Sequence, residues 1–111
     1  MSVLTIRAYK RYATRLPVKV RRDGRKAASG LLIELSQQGA RISNLGRGTY
    51  EVGESVTIVT STNLEIECTI RWAHDGLAGV RLCCPLHLPE MRALLELNRR
   101  EQGDVDRRYG T

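Results

Sequence analysis

Residues 54–84 read ESVTIVTSTNLEIECTIRWAHDGLAGVRLCC and contain three short runs in which apolar and polar side chains alternate. The runs are separated by the polar stretches STN at 61–63 and HDG at 74–76. Alternation with a period of two is typical of strands that bury one face, and such turn residues connect antiparallel neighbours. The stretch therefore predicts three consecutive antiparallel strands.

The chain before this stretch shows the same period. LPVKVRRD at 16–23 alternates apolar and basic side chains, AASGLLIELS at 27–36 is a more apolar run, and GARIS at 39–43 is a suitable hairpin partner for it. These runs predict three further strands, so the whole pattern indicates a small antiparallel barrel, closed or nearly closed, with about six strands.

One helix is predicted after the last strand. Pro85 and Pro89 bracket its start, and Leu88, Met91 and Leu94 follow at helical spacing. We therefore expect an all-β dominated fold with a C-terminal helix, organised as a basic N-terminal arm over 1–15, a barrel with its helix over 16–99, and a polar, disordered tail over 100–111.

Composition limits the class of protein. The chain has 111 residues, of which 41% are hydrophobic and 27% charged, as in a single globular domain. Its apolar runs are too short for a membrane span, and its start lacks the apolar core of a signal peptide. Three cysteines without paired spacing, Cys68, Cys83 and Cys84, fit reduced thiols, which we interpret as packing residues. We expect a cytoplasmic protein.

The positive charge is concentrated in one part of the chain. Residues 1–26 contain nine basic residues and one acidic residue, whereas the remainder contains nine basic and eleven acidic residues. Such a segment attracts anions, whether nucleotide phosphates, nucleic acid or an acidic membrane surface, although a solvated basic arm explains the charge equally well.

Two arginines four residues apart stand at the entry to the first predicted strand. Arg11 and Arg15 belong to KRYATRLPVKV, residues 10–20, in which Pro17 favours an extended conformation of the preceding residue. The planar guanidinium donates two parallel hydrogen bonds to a phosphate or to the O6 and N7 edge of guanine. The pair can therefore clamp a ligand that has separated acceptors.

A second polar pattern occurs at the end of a predicted strand, in ELSQQG at 34–39. Side chains alternate along a strand, so Glu34 and Ser36 share one face while Leu35 points to the core. Glu34 offers acceptors to the N–H groups of a purine, Ser36 donates or accepts, and Gly39 allows a tight turn. The pattern is also compatible with an ordinary strand end.

In combination, the two patterns resemble the motifs of the PilZ domain family, bacterial receptors for the second messenger cyclic di-GMP. The family motif RxxxR is matched at 11–15 and is followed, as in the family, by a hydrophobic-proline strand entry at 16–18. The motif [D/N]xSxxG is nearly matched at 34–39, with Glu34 where the family has Asp or Asn.

The resemblance extends over residues 8–98. IRWAHDGLAGVRLCCPL at 70–86 looks like the last two strands of the family. The family implies a six-stranded Greek-key or split β-barrel with a C-terminal helix, no enzymatic activity, no cofactor, and cyclic di-GMP as the ligand. It further implies an N-terminal arm that becomes ordered around the ligand and signals to a protein effector controlling motility, attachment or exopolysaccharide production.

The family roles transfer to matching positions. The resemblance implies that Arg11 and Arg15 contact phosphates and guanine, and that Glu34, Ser36 and Gly39 line the guanine site. Basic side chains near these motifs are auxiliary candidates for ligand contact: Arg7, Lys10 and Arg41.

The sequence is also compatible with two other functions. A degenerate domain that acts as a ligand-independent protein-interaction module is suggested by Glu34, and nonspecific nucleic-acid binding is suggested by the basic segment. His74, His87 and the cysteines lack the spacing of zinc ligands, so no metal site is predicted. Ser36 lacks the sequence context of a catalytic nucleophile, and we expect no enzyme.

Overall fold

A computed structural model of the protein describes residues 10–46 and 49–109, with side chains described as far as residue 100. The elements in chain order are β1 (Tyr12–Arg21), β2 (Ala28–Leu35), β3 (Gly39–Ser43), β4 (Ser55–Thr60), β5 (Glu65–His74), β6 (Leu77–Leu82) and α1 (Leu88–Tyr109). The predicted succession of six strands and a C-terminal helix is confirmed.

The strands form a closed barrel in the order β1–β2–β3–β6–β5–β4, and all neighbouring pairs are antiparallel. Strand β3 pairs with β6 instead of β4, so the β3–β4 connection crosses between non-adjacent strands, as in a Greek key. Strand β1 closes the barrel because it pairs with β2 on one side and, from Val18 to Arg21, with β4 on the other. The antiparallel barrel predicted from the sequence is therefore confirmed.

Alternating side chains fill the barrel interior. In β1, Leu16, Val18 and Val20 are buried, while Lys19 and Arg21 on the opposite face are exposed. The other strands contribute in the same way, and the largest fully buried side chains are Leu16, Leu32, Leu35, Ile42, Ile58, Ile70, Leu94, Val20 and Cys68. This apolar interior leaves only the outer surface of the barrel for a polar site.

Helix α1 packs against β1. The Glu90 carboxylate accepts the backbone N–H of His87 at 3.0 Å, which caps the first turn of the helix. Met91 and Leu94, at helical spacing, are 4% and 2% exposed. The helix therefore adds its apolar stripe to the barrel core.

The strand and helix bounds differ from the predicted boundaries. Strand β1 begins at Tyr12, so Arg15 belongs to the barrel and not to an arm over 1–15. The cause is local pairing: Tyr12 pairs with Leu35, and the buried Thr14 donates its hydroxyl to the Leu32 carbonyl at 2.7 Å.

At the other end, α1 continues to Tyr109 where the sequence predicts a polar, disordered tail over 100–111. Residues 100–109 include arginine, glutamate and glutamine, which have high helix propensity, so a helix can form there without an apolar period. Within the described residues, no helix combines the length and the apolar character that a membrane span requires.

The cysteines divide into two groups. Cys68 is 1% exposed, and burial raises the pKa of its thiol to about 12, so it is a packing residue as predicted. Cys83 and Cys84 are exposed because they follow β6, where the chain leaves the barrel. The packing interpretation is wrong for these two.

Candidate functional site

A β-bulge near the end of β2 sets the direction of Glu34. Leu32 pairs with Ile42 of β3, whereas Glu34, two residues later, pairs with Arg41, only one residue earlier on β3. The extra residue in β2 shifts the alternation of side chains. Leu35 is consequently buried, and Glu34 lies on the outer face of the barrel with its side chain 28% exposed.

A second bulge acts on β5. Ile70 pairs with Val80 and Trp72 pairs with Gly79, so Arg71 is the extra residue. Without the bulge, Trp72 would share the core-facing side of the strand with Ile70, because the two are two residues apart. The bulge places the indole on the outer face instead, over Gly79.

These outer faces line a cavity of about 280 Å³ that extends across β2, β3, β6 and β5. Its wall contains five residues that the sequence singles out as ligand contacts: Arg11, Glu34, Ser36, Gly39 and Arg41. The sequence did not assign the other residues of the wall to a site: Ala40, Arg71, Trp72, Gly79 and Val80. Arg11 of the first motif, the second motif and the β5–β6 hairpin therefore meet at one place.

The remaining candidates lie elsewhere. The Arg15 side chain is exposed on β1 and is not part of the cavity wall, and its backbone N–H donates to Asn98 Oδ1 of α1 at 2.8 Å. Lys10 is exposed, with its Nζ 5.9 Å from the centre of the Tyr12 ring. Arg7 lies outside the described residues.

Arg11 and Glu34, both in the cavity wall, form an ion pair. The Arg11 Nη1 and Glu34 Oε2 atoms are 3.7 Å apart, and the side chains are 51% and 28% exposed. A partly exposed pair at this distance contributes little to stability. Both groups therefore remain available to exchange this contact for a ligand.

Ser36 and Gly39 build the turn between β2 and β3. Ser36 Oγ accepts the backbone N–H of Gly39 at 3.1 Å, and the Ser36 N–H donates to the Gly39 carbonyl at 2.9 Å. A Cβ on Gly39 would lie 2.9 Å from the carbonyl oxygen of Val80. The serine hydroxyl thus shapes the turn, and the glycine lets β3 approach β6 closely.

Trp72 forms the aromatic part of the wall. A Cβ on Gly79 would lie 2.2 Å from the indole Nε1, so the ring rests directly on the backbone of β6. The guanidinium carbon of Arg41 is 5.8 Å from the ring centre, within cation–π range. His74 stacks on the indole with centroids 5.3 Å apart and an interplanar angle of 30°. The ring therefore has a cation and a second aromatic group as neighbours.

From the sequence alone, Trp72, flanked by Ile70 and Ala73, is interpreted as a core or interface anchor, since a regular strand places it on the same face as Ile70. The sequence signal for an outward-facing Trp72 is the Arg71-Trp72 dipeptide together with Gly79 in the next strand. A glycine in a neighbouring strand leaves room for an aromatic ring to pack on its backbone, and a basic neighbour suits the outer face.

The cavity wall is electropositive, because three arginines, Arg11, Arg41 and Arg71, accompany the single carboxylate of Glu34. Such a wall favours anionic ligands that also carry hydrogen-bond donors for a carboxylate. As far as the described side chains extend, no group of three or more His, Cys, Asp or Glu residues is arranged to hold a metal ion.

Comparison with solved structures agrees with this fold. A Bacillus subtilis protein described as "Inhibitor of motility (MotI/DgrA)" has a TM-score of 0.61 and 18% sequence identity to this chain. The match covers 89% of this chain and 52% of the other, so the chain spans about half the length of that protein. At this identity the likeness shows the fold.

Comparison with protein families identifies the domain. A search of curated proteins found no significant match. The family model described as "PilZ domain", in contrast, matches residues 5–100, which include all six strands and both motifs. The chain therefore belongs to the PilZ domain family.

Proposed function

We propose that this protein is a cytoplasmic receptor for cyclic di-GMP that passes the signal to a protein effector. PilZ domains are receptor or adaptor domains without catalytic activity, and the family implies this ligand. The observation that carries the proposal is the convergence of Arg11 from the first motif, the second motif, and Arg41, Arg71 and Trp72 on one electropositive cavity.

The arginines of the cavity suit the phosphates of the ligand. Cyclic di-GMP carries two phosphodiester charges, and guanidinium groups form charge-assisted, bidentate hydrogen bonds with phosphate oxygens. Arg11 can exchange its 3.7 Å contact with Glu34 for a phosphate at small cost, because the pair is partly exposed. Arg15, on the neighbouring stretch of β1, is the second arginine of the motif, and we expect it to contact the ligand from outside the cavity wall.

Glu34 and Trp72 suit the guanine base. A carboxylate accepts hydrogen bonds from the N1–H and the 2-amino group of guanine, whereas arginine donates to its O6 and N7 atoms. Base-on-aromatic stacking contributes about 1–3 kcal/mol per base. The half-buried indole, supported by Gly79, offers a surface for such stacking.

A ligand-independent interaction module is the second candidate. Glu34 occupies the position of the family Asp or Asn and already contacts Arg11. If the longer carboxylate retains Arg11 or obstructs the base, the same outer face presents a mixed charged surface to a protein partner.

We assign the receptor to the control of motility, attachment or exopolysaccharide production. The structural neighbour is described as an inhibitor of motility, and that description supports motility as the first process to test. The control would act through protein contacts, because PilZ domains are not enzymes.

Calorimetry and the fluorescence of Trp72 test the receptor directly. Trp72 is the single tryptophan of the chain and lines the cavity, so its emission reports on the site without a label. We expect a dissociation constant of about 1 μM or lower for cyclic di-GMP, with a change in emission. Cyclic di-AMP should bind much more weakly, because adenine presents an amino donor where guanine presents O6.

Single substitutions identify the residues that bind. Arg11→Ala and Arg15→Ala should each weaken binding by more than about tenfold, because each removes charge-assisted hydrogen bonds. Arg92→Ala, on the exposed side of α1, is the control of equal charge change. Unchanged affinity in both motif variants would refute the proposed site.

The variant Glu34→Asp separates the two candidate functions. Binding of cyclic di-GMP by the native chain supports the receptor. If the native chain does not bind it and the Glu34→Asp variant does, the interaction module is supported. Strongly salt-dependent binding of an unrelated oligonucleotide, with no response to cyclic di-GMP, would favour a nonspecific nucleic-acid-binding role over both.

A further inference from the structure

The first motif contains a third β-bulge. Between Ala13 and Leu16 strand β1 advances three residues, while its partner β2 advances two, from Glu34 to Leu32. Bulges interrupt the regular ladder, so the backbone groups within them need other partners. The bulge spans the last three residues of the RxxxR motif and the first residue after it.

A side chain from the other end of the sequence supplies such a partner. Asn98 Oδ1 on α1 accepts the backbone N–H of Arg15 at 2.8 Å, across a separation of 83 residues. On the opposite side of the bulge, Thr14 Oγ1 donates to the Leu32 carbonyl at 2.7 Å. The bulge is therefore held on one side by the barrel and on the other by the helix.

This arrangement links the helix to the cavity. Strand β1 is the element against which α1 packs, and Arg11, four residues before Arg15, lies in the cavity wall. Ala13, between the two arginines, pairs with Glu34, the carboxylate of the second motif. The conformation of the bulge thus sets where the start of β1 lies relative to Glu34.

We propose that Asn98 is a positioning residue for the ligand site, which holds the β1 bulge in the conformation that aligns Arg11 and Arg15. The proposal rests on the proposed function, because alignment of the arginines matters only if they bind the ligand. Without the Asn98 acceptor, the Arg15 N–H turns to water and the bulge samples several conformations. Ligand binding must then order this segment, which weakens the affinity.

The variant Asn98→Ala tests the proposal. Alanine favours the helix more than asparagine does, so any loss does not arise from helix propensity. We expect faster amide exchange at Arg15 and about fivefold to tenfold weaker binding of cyclic di-GMP. Asn98→Asp keeps an oxygen acceptor at the same place and should restore the slow exchange of this amide.

Leu97→Ala is the matched control. It shortens the neighbouring, partly buried side chain of α1 and lowers stability without removing the acceptor. All variants are compared at a temperature at which each is folded. We expect Leu97→Ala to keep native affinity within about twofold, since the hydrogen bond from the Arg15 N–H to Asn98 remains.

The outcomes distinguish this proposal from the receptor itself. A native chain that does not bind cyclic di-GMP overturns the receptor and with it the role of Asn98. Native binding with equal affinity in Asn98→Ala overturns the positioning role alone, and so does an affinity loss in Leu97→Ala as large as that in Asn98→Ala. If Asn98→Ala does not fold, Asn98→Leu, which keeps the branched shape of the side chain but not the acceptor, replaces it with the same expected results.

Discussion

Gly39 and Gly79 show how absent side chains shape the site. At both positions an added Cβ would meet a neighbour closer than real contacts allow, at 2.9 Å from the Val80 carbonyl oxygen and at 2.2 Å from Trp72 Nε1. The obstacles differ in kind, since the first is the backbone of a paired strand and the second is a side chain that can rotate. The two glycines therefore have different functions.

Alanine at each position should separate these functions. Gly39→Ala forces β3 and β6 apart, and we expect a loss of about 1–3 kcal/mol in the free energy of unfolding. Gly79→Ala displaces the indole, so we expect a shift in Trp72 emission, weaker ligand binding and a smaller loss of stability. Urea unfolding and fluorescence spectra measure both, and an unchanged emission in Gly79→Ala would contradict the arrangement of the ring on β6.

Among the secondary-structure elements, bulges and ion pairs place side chains and strand ends in positions that regular strands do not allow. The bulges in β2 and β5 turn Glu34 and Trp72 outward, and the bulge in β1 brings Arg15 to the helix. At the far end of β1, Arg22 binds the Glu54 carboxylate with two nitrogens, and their side chains are only 9% and 23% exposed. This pair ties the end of β1 to the start of β4, where the barrel closes.

The Arg22–Glu54 pair predicts a pH dependence of stability. The hydrogen bonds from Arg22 lower the pKa of Glu54 below its usual value of 4.5. The carboxylate therefore contributes stability above about pH 4.5, which is lost as the pH falls through the lowered pKa. We expect Glu54→Gln to reduce the free energy of unfolding by about 2 kcal/mol at pH 7 and by much less at pH 3.

Glu65→Gln is the control for this measurement. Glu65 binds Arg21, but the two side chains are 55% and 50% exposed, so solvent screens the pair. We expect the Glu65→Gln variant to resemble the native chain in urea unfolding at both pH values. Equal losses in Glu54→Gln at pH 7 and pH 3 would show that the charge of Glu54 does not contribute.

For the whole molecule, core and site occupy opposite faces of the same strands. The interior is apolar and the cavity lies on the outer surface of β2, β3, β6 and β5. Substitutions of cavity arginines should therefore leave the fold intact, whereas interior substitutions should lower its stability. This separation makes loss of binding interpretable in site variants.

Ile58→Ala tests the interior. Ile58 lies on β4, one of the two strands at the closure, and is 1% exposed. We expect a loss of about 2–5 kcal/mol in the free energy of unfolding, a large part of the total stability of a typical domain. Val59→Ala on the outer face should cost much less. Similar unfolding midpoints for the two variants would contradict the assigned faces.

Much of this architecture could be predicted from local pattern. Period-two alternation located the strands, the spacing of Leu88, Met91 and Leu94 located the helix, and the neighbours of Leu35 placed Glu34 and Ser36 on the outer face. The helical residues after 100 were not predicted, because this polar segment has no apolar period to detect.

The strands, the start of the helix, most buried faces and the two motifs follow from the sequence alone, because they depend on side-chain alternation and on residues close together in the chain. The fold, in contrast, is needed to see that Arg71, Trp72 and Gly79 join the motifs and that Asn98 reaches Arg15. Those outcomes depend on bulges and cross-strand register. Bulges and register follow from pairing between distant segments, and a single extra residue in one strand reverses the face of every side chain that follows it.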